Sequence, residues 1–149
     1  MPFMKINPAV PQCYYRVSVK ALITNEDGEV LVVNERGTGW DLPGGGLDWG
    51  EATIEALHRE IEEELGCTAV IDPQPVMIVP SNKDKHNQHV LWIIHRAKID
   101  SDAITQTDDV QEKRFMSVAD FRSLEDESLD DQWECPIDFW AELQALIER

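Results

Sequence analysis

The sequence predicts a mixed α/β or α+β domain, and three observations lead to this fold class. Apolar residues alternate with polar ones from Tyr15 to Ile23, which is the period of a β-strand. Apolar stripes with helical spacing run from about Ala52 to Leu65 and from Ile137 to Glu148. A chain of 149 residues without internal repeats suits a single domain over residues 1–149.

The remaining elements are predicted from turns and short apolar runs. Asn25–Gly28 reads as a tight turn, because Gly28 can supply a positive φ, and Val30–Val33 is then the returning strand. Gly66 lies where the C-cap glycine of the first helix belongs. Further strands are predicted at Thr68–Ile71, Pro75–Val79, His89–Ala97 and Lys113–Ser117, with a short helix at Val118–Leu124.

The charge of the chain restricts its partners. The formal net charge is −16 at pH 7, from 13 Lys and Arg against 29 Asp and Glu. A nucleic-acid polymer held through its phosphates is therefore disfavoured as a partner. A small anionic substrate remains compatible, provided that metal cations and backbone N–H groups offset the negative field.

The composition predicts a cytoplasmic protein without a membrane anchor. The longest apolar run outside the N-terminus is about five residues, Val90–Ile94, whereas a membrane-spanning helix needs about 20. The first residues do not form the apolar core of a signal peptide. The cysteines, Cys13, Cys67 and Cys135, are scattered and are predicted to be free thiols.

Glutamates are concentrated on one side of the first predicted helix. At about 100° per residue, Glu60, Glu63 and Glu64 share an arc beside the apolar face, and Arg59 is the cation nearest to them in sequence. Carboxylates this close repel one another unless a hard cation such as Mg²⁺ or Mn²⁺ lies between them. The alternative is a solvated acidic face.

Glycines before the helix favour the metal interpretation. Gly44, Gly45 and Gly46 are consecutive, and such residues let the backbone approach a ligand closely. A glycine loop that leads into a helix with clustered carboxylates brings backbone groups and metal ligands to one point. This arrangement suits a diphosphate, whose phosphoryl oxygens metal ions can bridge.

The stretch Leu42–Cys67, LPGGGLDWGEATIEALHREIEEELGC, resembles the Nudix signature G-x5-E-x7-R-E-U-x-E-E-x-G-U, where U is a bulky aliphatic residue. Cys67 departs from the last position, with little expected consequence because cysteine packs as a small hydrophobe. The resemblance implies an α/β/α sandwich with a mixed sheet. The matching residues are Gly45, Glu51, Arg59, Glu60, Ile61, Glu63, Glu64 and Gly66.

The resemblance also implies a set of ligands for Mg²⁺ or Mn²⁺. Glu60 and Glu64 are the implied first ligands, and Glu63 would add a ligand or a water contact. A backbone carbonyl at Gly44 or Gly45 would join them, and this loop would also contact the substrate. The implied reaction is substitution at phosphorus by a metal-activated water.

Two further roles come from the resemblance. Arg59 is implied to orient a catalytic carboxylate by ion pairing, and Glu51 to support the geometry between loop and helix. The general base is either a glutamate of the signature or a later acidic residue. Asp108, Asp109 and Glu112, placed just before a strand, are the later candidates, and Glu112 is preferred.

Outside the signature, a few residues are candidates for binding substrate. Trp49 lies at a variable loop position and either stacks on a base or is merely exposed. Lys83 and His86, with Lys85 and His89, are cationic candidates for contacting substrate phosphates. The alternative for these four is an ordinary solvated loop.

The predicted function is that of a metal-dependent pyrophosphohydrolase acting on a nucleoside diphosphate derivative or a nucleoside triphosphate. The alternative is a nucleotide-sensing module that binds without turnover. Nucleotide sugars, ADP-ribose, dinucleoside polyphosphates and nucleoside triphosphates all remain open as substrates. The C-terminal stripe, with Trp133 and Trp140, packs internally or at a dimer contact, and a homodimer is expected because dimers are common in the family.

Overall fold

The computed structural model describes residues 15–35, 39–81, 89–128 and 137–149. None of the helices within these ranges is long and apolar enough to cross a bilayer. The elements are β1 (Tyr15–Leu22), β2 (Val30–Glu35), β3 (Gly39–Asp41), β4 (Gly44–Gly46), α1 (Thr53–Leu65), β5 (Val70–Ser81), β6 (His89–Lys98), β7 (Val110–Met116), α2 (Val118–Ser128) and α3 (Phe139–Glu148).

The strands form two sheets. The larger has the order β4-β1-β6-β5, with β1 parallel to β6 and the other pairs antiparallel. The smaller is antiparallel and has the order β3-β2-β7. The predicted mixed arrangement is confirmed, and β1 lies between two neighbours in the larger sheet.

Helices cover both faces of the strands. Alternate residues of β2 belong to different apolar clusters: Val30 and Val32 pack with residues of α2 and α3, whereas Leu31 and Val33 pack with residues of α1. Since successive side chains of a strand point to opposite faces, α1 lies on one side and α2 and α3 on the other. The α/β/α layering implied by the resemblance is confirmed.

The prediction of two separate strands at Thr68–Ile71 and Pro75–Val79 was wrong, because β5 is a single strand that begins at Val70 and includes the second range. Its register against β6 shifts between Ile71 and Pro75 and again before Met77. Asp72 causes a local turn here by accepting the N–H of Gln74 at 2.9 Å, and Pro75 has no N–H to give the ladder.

The glycine-rich segment contains two short strands, β3 and β4, that the sequence pattern does not predict. Three residues are too few to show an alternating pattern, and β4 consists of glycine alone. Gly44 pairs with Lys20 of β1, and a Cβ at Gly44 would lie 2.0 Å from the carbonyl oxygen of Val19. Only glycine allows this approach, which brings β4 against β1 beside α1.

Candidate active site

Apolar burial fixes the rotation of α1 about its axis. Leu57, Ile61 and Leu65 are fully buried against the sheet, as their spacing predicts. The helix ends at Gly66, whose positive φ of 64° lets its N–H donate to the carbonyl of Glu62 at 3.0 Å. With this face fixed, Glu60 and Glu64 on the neighbouring arc point towards β4.

Glu64 is the most buried of these glutamates, with 2% of its surface exposed. Its Oε2 accepts the N–H of Gly44 at 2.9 Å, whereas Oε1 has no hydrogen-bond partner in the described ranges. Burial is the main reason that the pKa of Glu64 is raised to about 9, and the nearby carboxyl of Glu35 raises it as well. The solvated-face alternative therefore does not hold for Glu64.

Glu60 lies one helical turn before Glu64 and faces the next glycine, Gly45. Its side chain is 14% exposed, and a Cβ added to Gly45 would lie 2.5 Å from its Oε1. Burial raises the pKa of Glu60, and the guanidinium of Arg59 opposes that rise. Glu60 and Glu64 thus converge on Gly44 and Gly45, as the sequence predicts.

Arg59 links the carboxylates around it. Its Nε and Nη2 contact the two carboxylate oxygens of Glu51 at 2.7 and 3.1 Å, and Nη1 lies 3.0 Å from Glu60 and 3.3 Å from Glu63. The hydrogen bond from Arg59 lowers the pKa of Glu51, helped by the N–H of Asp48. This geometry suits the orienting roles that the resemblance implies for Arg59 and Glu51.

A buried lysine, Lys20, lies near Glu64, and the sequence pattern did not predict it as a residue of the site. Lys20 of β1 is 6% exposed, and its Nζ lies 2.8 Å from Asp41 Oδ2. The same Nζ donates to the carbonyls of Leu42 and Gly44, each at 3.3 Å. Alternation along β1 assigned Lys20 to a polar face, but both faces of this interior strand are covered. The sequence offers no signal that separates Lys20 from Arg16 and Ser18, the other polar residues of this strand.

The other predicted substrate contacts are only partly described. Trp49 is fully exposed on the loop before α1, so its stacking role stays a prediction. Lys83, Lys85 and His86 lie outside the described residues. His89 begins β6 and stands edge-on to the ring of Tyr15, with 5.7 Å between ring centroids.

The location predicted for Glu112 needs correction. Glu112 does not precede the strand that contains Phe115 but lies within it, since β7 begins at Val110, and it pairs in register with Asn34. Its half-exposed carboxylate accepts from Arg114 at 2.9 Å. Asp108 and Asp109 do precede β7 and are exposed. The base assignment stays a prediction.

The residues at this site fit a hydrated divalent cation. Within the described ranges, no three Asp, Glu, His or Cys side chains converge as a ready-made metal cage. Mg²⁺ needs no such cage, because it usually keeps several waters and binds through one or two carboxylates. Glu64 Oε1, buried without a donor, and the carboxylate of Glu60 beside Gly45 supply such oxygens.

Known proteins are similar to this chain in sequence. The NUDIX domain profile matches residues 14–134. RNA pyrophosphohydrolases from Francisella tularensis subsp. mediasiatica (strain FSC147) and Ruthia magnifica subsp. Calyptogena magnifica are 35% and 34% identical over 85 and 80 residues. These alignments cover 56% and 50% of this chain, and 52% and 45% of the relatives. The chain thus spans about half the length of the curated relatives that it matches.

Solved structures show the same fold. The crystal structure of a MutT protein from Methanosarcina mazei Go1 superposes with a TM-score of 0.67 at 23% identity, covering 94% of this chain and 97% of that one. The crystal structure of a UDP-X diphosphatase gives a TM-score of 0.66 at 18% identity, covering 95% and 66%. At such identities the likeness concerns the fold alone.

Proposed function

The chain belongs to the Nudix hydrolase family, and from that premise we propose that it is a metal-dependent pyrophosphohydrolase acting on a small nucleotide. The substrate would be a nucleoside diphosphate derivative or a nucleoside triphosphate. The observation that carries the proposal is the convergence of Glu60 and the buried Glu64 on Gly44 and Gly45. Burial favours the neutral form of the Glu64 carboxyl, and a cation beside its Oε1 would favour the ionised form that binds metal.

The residues around the site have separate tasks in this proposal. Glu60, Glu64 and the carbonyl of Gly45 would hold Mg²⁺ or Mn²⁺, because the carbonyl of Gly44 already accepts from Lys20. The metal, when bound, would offset charge on the phosphoryl oxygens and make water a better nucleophile. Arg59 keeps Glu60 in place through its contact at 3.0 Å, and the N–H of Gly44 keeps Glu64 in place.

The experiment that tests the proposal is a substrate panel in EDTA, in Mg²⁺ and in Mn²⁺. The panel contains nucleotide sugars, ADP-ribose, dinucleoside polyphosphates and nucleoside triphosphates, and released phosphate and nucleotide are measured. We expect turnover only with metal, and its loss in Glu64→Gln. Full turnover in EDTA, or near-wild-type rates in that variant, would contradict the metal-ligand assignment.

A nucleotide-sensing module is the alternative from another functional class. It predicts binding of a panel nucleotide by calorimetry without turnover under any metal condition. The intact set of signature residues favours the enzyme, because a sensor has no need for a buried carboxylate such as Glu64 beside the loop.

RNA belongs in the same panel because the curated relatives described above are RNA pyrophosphohydrolases. The formal net charge of −16 predicts that a long polyanion binds less well than a mononucleotide. We therefore expect a 5′-triphosphorylated RNA to be a poorer substrate than the best small nucleotide. A higher kcat/KM for the RNA would replace the small-nucleotide assignment with an RNA one.

A further inference from the structure

We propose that the Lys20 ammonium is a built-in cation that holds residues 41–44 and Glu64 in place before a metal ion binds. This inference rests on the proposed function, because it concerns how the metal-bearing site is organised. It makes Lys20 a positioning residue, since its contacts are with the loop and not with the reacting groups. Lys20 lies outside the signature.

The surroundings of Lys20 resemble those of a hard cation. The Nζ contacts three oxygen atoms, namely a carboxylate oxygen of Asp41 at 2.8 Å and the carbonyls of Leu42 and Gly44, each at 3.3 Å. Carboxylate and carbonyl oxygens are also the ligands that hard cations take. Burial disfavours the charge on Lys20, but Asp41 and Glu64 outweigh it and raise the pKa of the ammonium.

Gly44 connects this cation to the carboxylate of α1. Its carbonyl accepts from Lys20, while its N–H donates to Glu64 at 2.9 Å. Lys20 and Gly44 are also register partners between β1 and β4. A displacement of the ammonium would therefore be transmitted through one residue to Glu64.

Loss of the ammonium would leave an excess of negative charge. Asp41 and Glu35 act electrostatically on Lys20, and its loss would leave the half-exposed carboxylate of Asp41 and the carbonyls of Leu42 and Gly44 without their buried donor. A divalent cation could then take over the vacated charge among the same oxygens. The stability of a variant without the ammonium should therefore depend on divalent metal more than that of the wild type.

The test measures the thermal midpoint of the full chain in EDTA and in saturating Mg²⁺. The variant Lys20→Met removes the ammonium and keeps a long side chain, and Lys20→Arg keeps the charge. Lys98→Met is the matched control, because Lys98 is an exposed lysine at the end of the neighbouring strand β6. Lys20→Gln serves as a second neutral variant if Lys20→Met does not fold.

In EDTA we expect the midpoint of Lys20→Met to fall by roughly 10 °C, whereas Lys98→Met stays close to the wild type. Mg²⁺ should then raise the midpoint of Lys20→Met more than that of the wild type, Lys98→Met or Lys20→Arg. A Mg²⁺-induced rise in Lys20→Met no larger than in the wild type would overturn the inference.

The two proposals fail in different ways. If Mg²⁺ raises the midpoint of the neutral Lys20 variant but not of the wild type, the inference stands and the metal dependence of the proposed function fails. If the wild type responds and the neutral variant responds no more strongly, the proposed function stands and the inference fails. Lys20→Arg separates charge from packing, because it should behave as the wild type only if charge is the cause.

Discussion

Replacing Glu64 by glutamine should stabilise the metal-free protein while abolishing most of its turnover. Burial and the neighbouring Glu35 raise the pKa of Glu64 from 4.5 to about 9. At pH 7 the unfolded chain carries an ionised Glu64, so folding must protonate it. The gap between 4.5 and pH 7 is about 2.5 units, which at about 1.4 kcal/mol per unit amounts to about 3 to 4 kcal/mol.

The sign of the pH dependence follows from the direction of the shift. Because the pKa of Glu64 is higher in the folded protein, its cost to stability is absent below pH 4.5, grows as pH rises and levels off above about 9. Glutamine does not titrate, and its carbonyl oxygen can still accept the N–H of Gly44. Glu64→Gln should therefore raise the free energy of unfolding by about 3 to 4 kcal/mol at pH 7 and by under about 1 kcal/mol at pH 5.

Urea unfolding in EDTA, at pH 5 and pH 7, measures this difference in the free energy of unfolding. Glu62→Gln is the matched control, because Glu62 is exposed on the same helix and its removal should change the free energy little at either pH. Two results would contradict a raised pKa of Glu64 in the folded protein. One is a Glu64→Gln variant that is less stable than the wild type at pH 7, and the other is a difference in the free energy of unfolding that does not change with pH.

Further predictions concern other residues of the site. Gly45→Ala should slow turnover at least about tenfold, because its Cβ would lie 2.5 Å from the Glu60 carboxylate and displace it; an unchanged rate would mean that the position of Glu60 is not critical. Glu112→Gln should slow kcat at least about tenfold if Glu112 is the general base, and an unchanged rate would return that role to the signature. Trp49→Ala should raise KM with kcat unchanged if this exposed ring stacks on a base, and an unaltered KM would mean that it does not.

The helix with its glutamates was predictable because its signals are local. Apolar spacing placed α1 within one residue of its observed start, and Gly66 marked its end. Convergence of Glu60 and Glu64 on the loop also followed, since residues 44–51 connect directly to the helix. Strand β5 was divided wrongly because its irregular register is decided by pairing with β6.

The sequence by itself determined the signature, the α1 face that carries Glu60 and Glu64, and the layered fold class. Only the tertiary structure decided that Glu64 is buried with Lys20 and Glu35 as neighbours. The physical reason is that alternation along β1 tells which residues share a face, but not whether another element covers that face. The contacts of Lys20 with Asp41 and Gly44 cross from β1 to β3 and β4, so long-range strand pairing creates them.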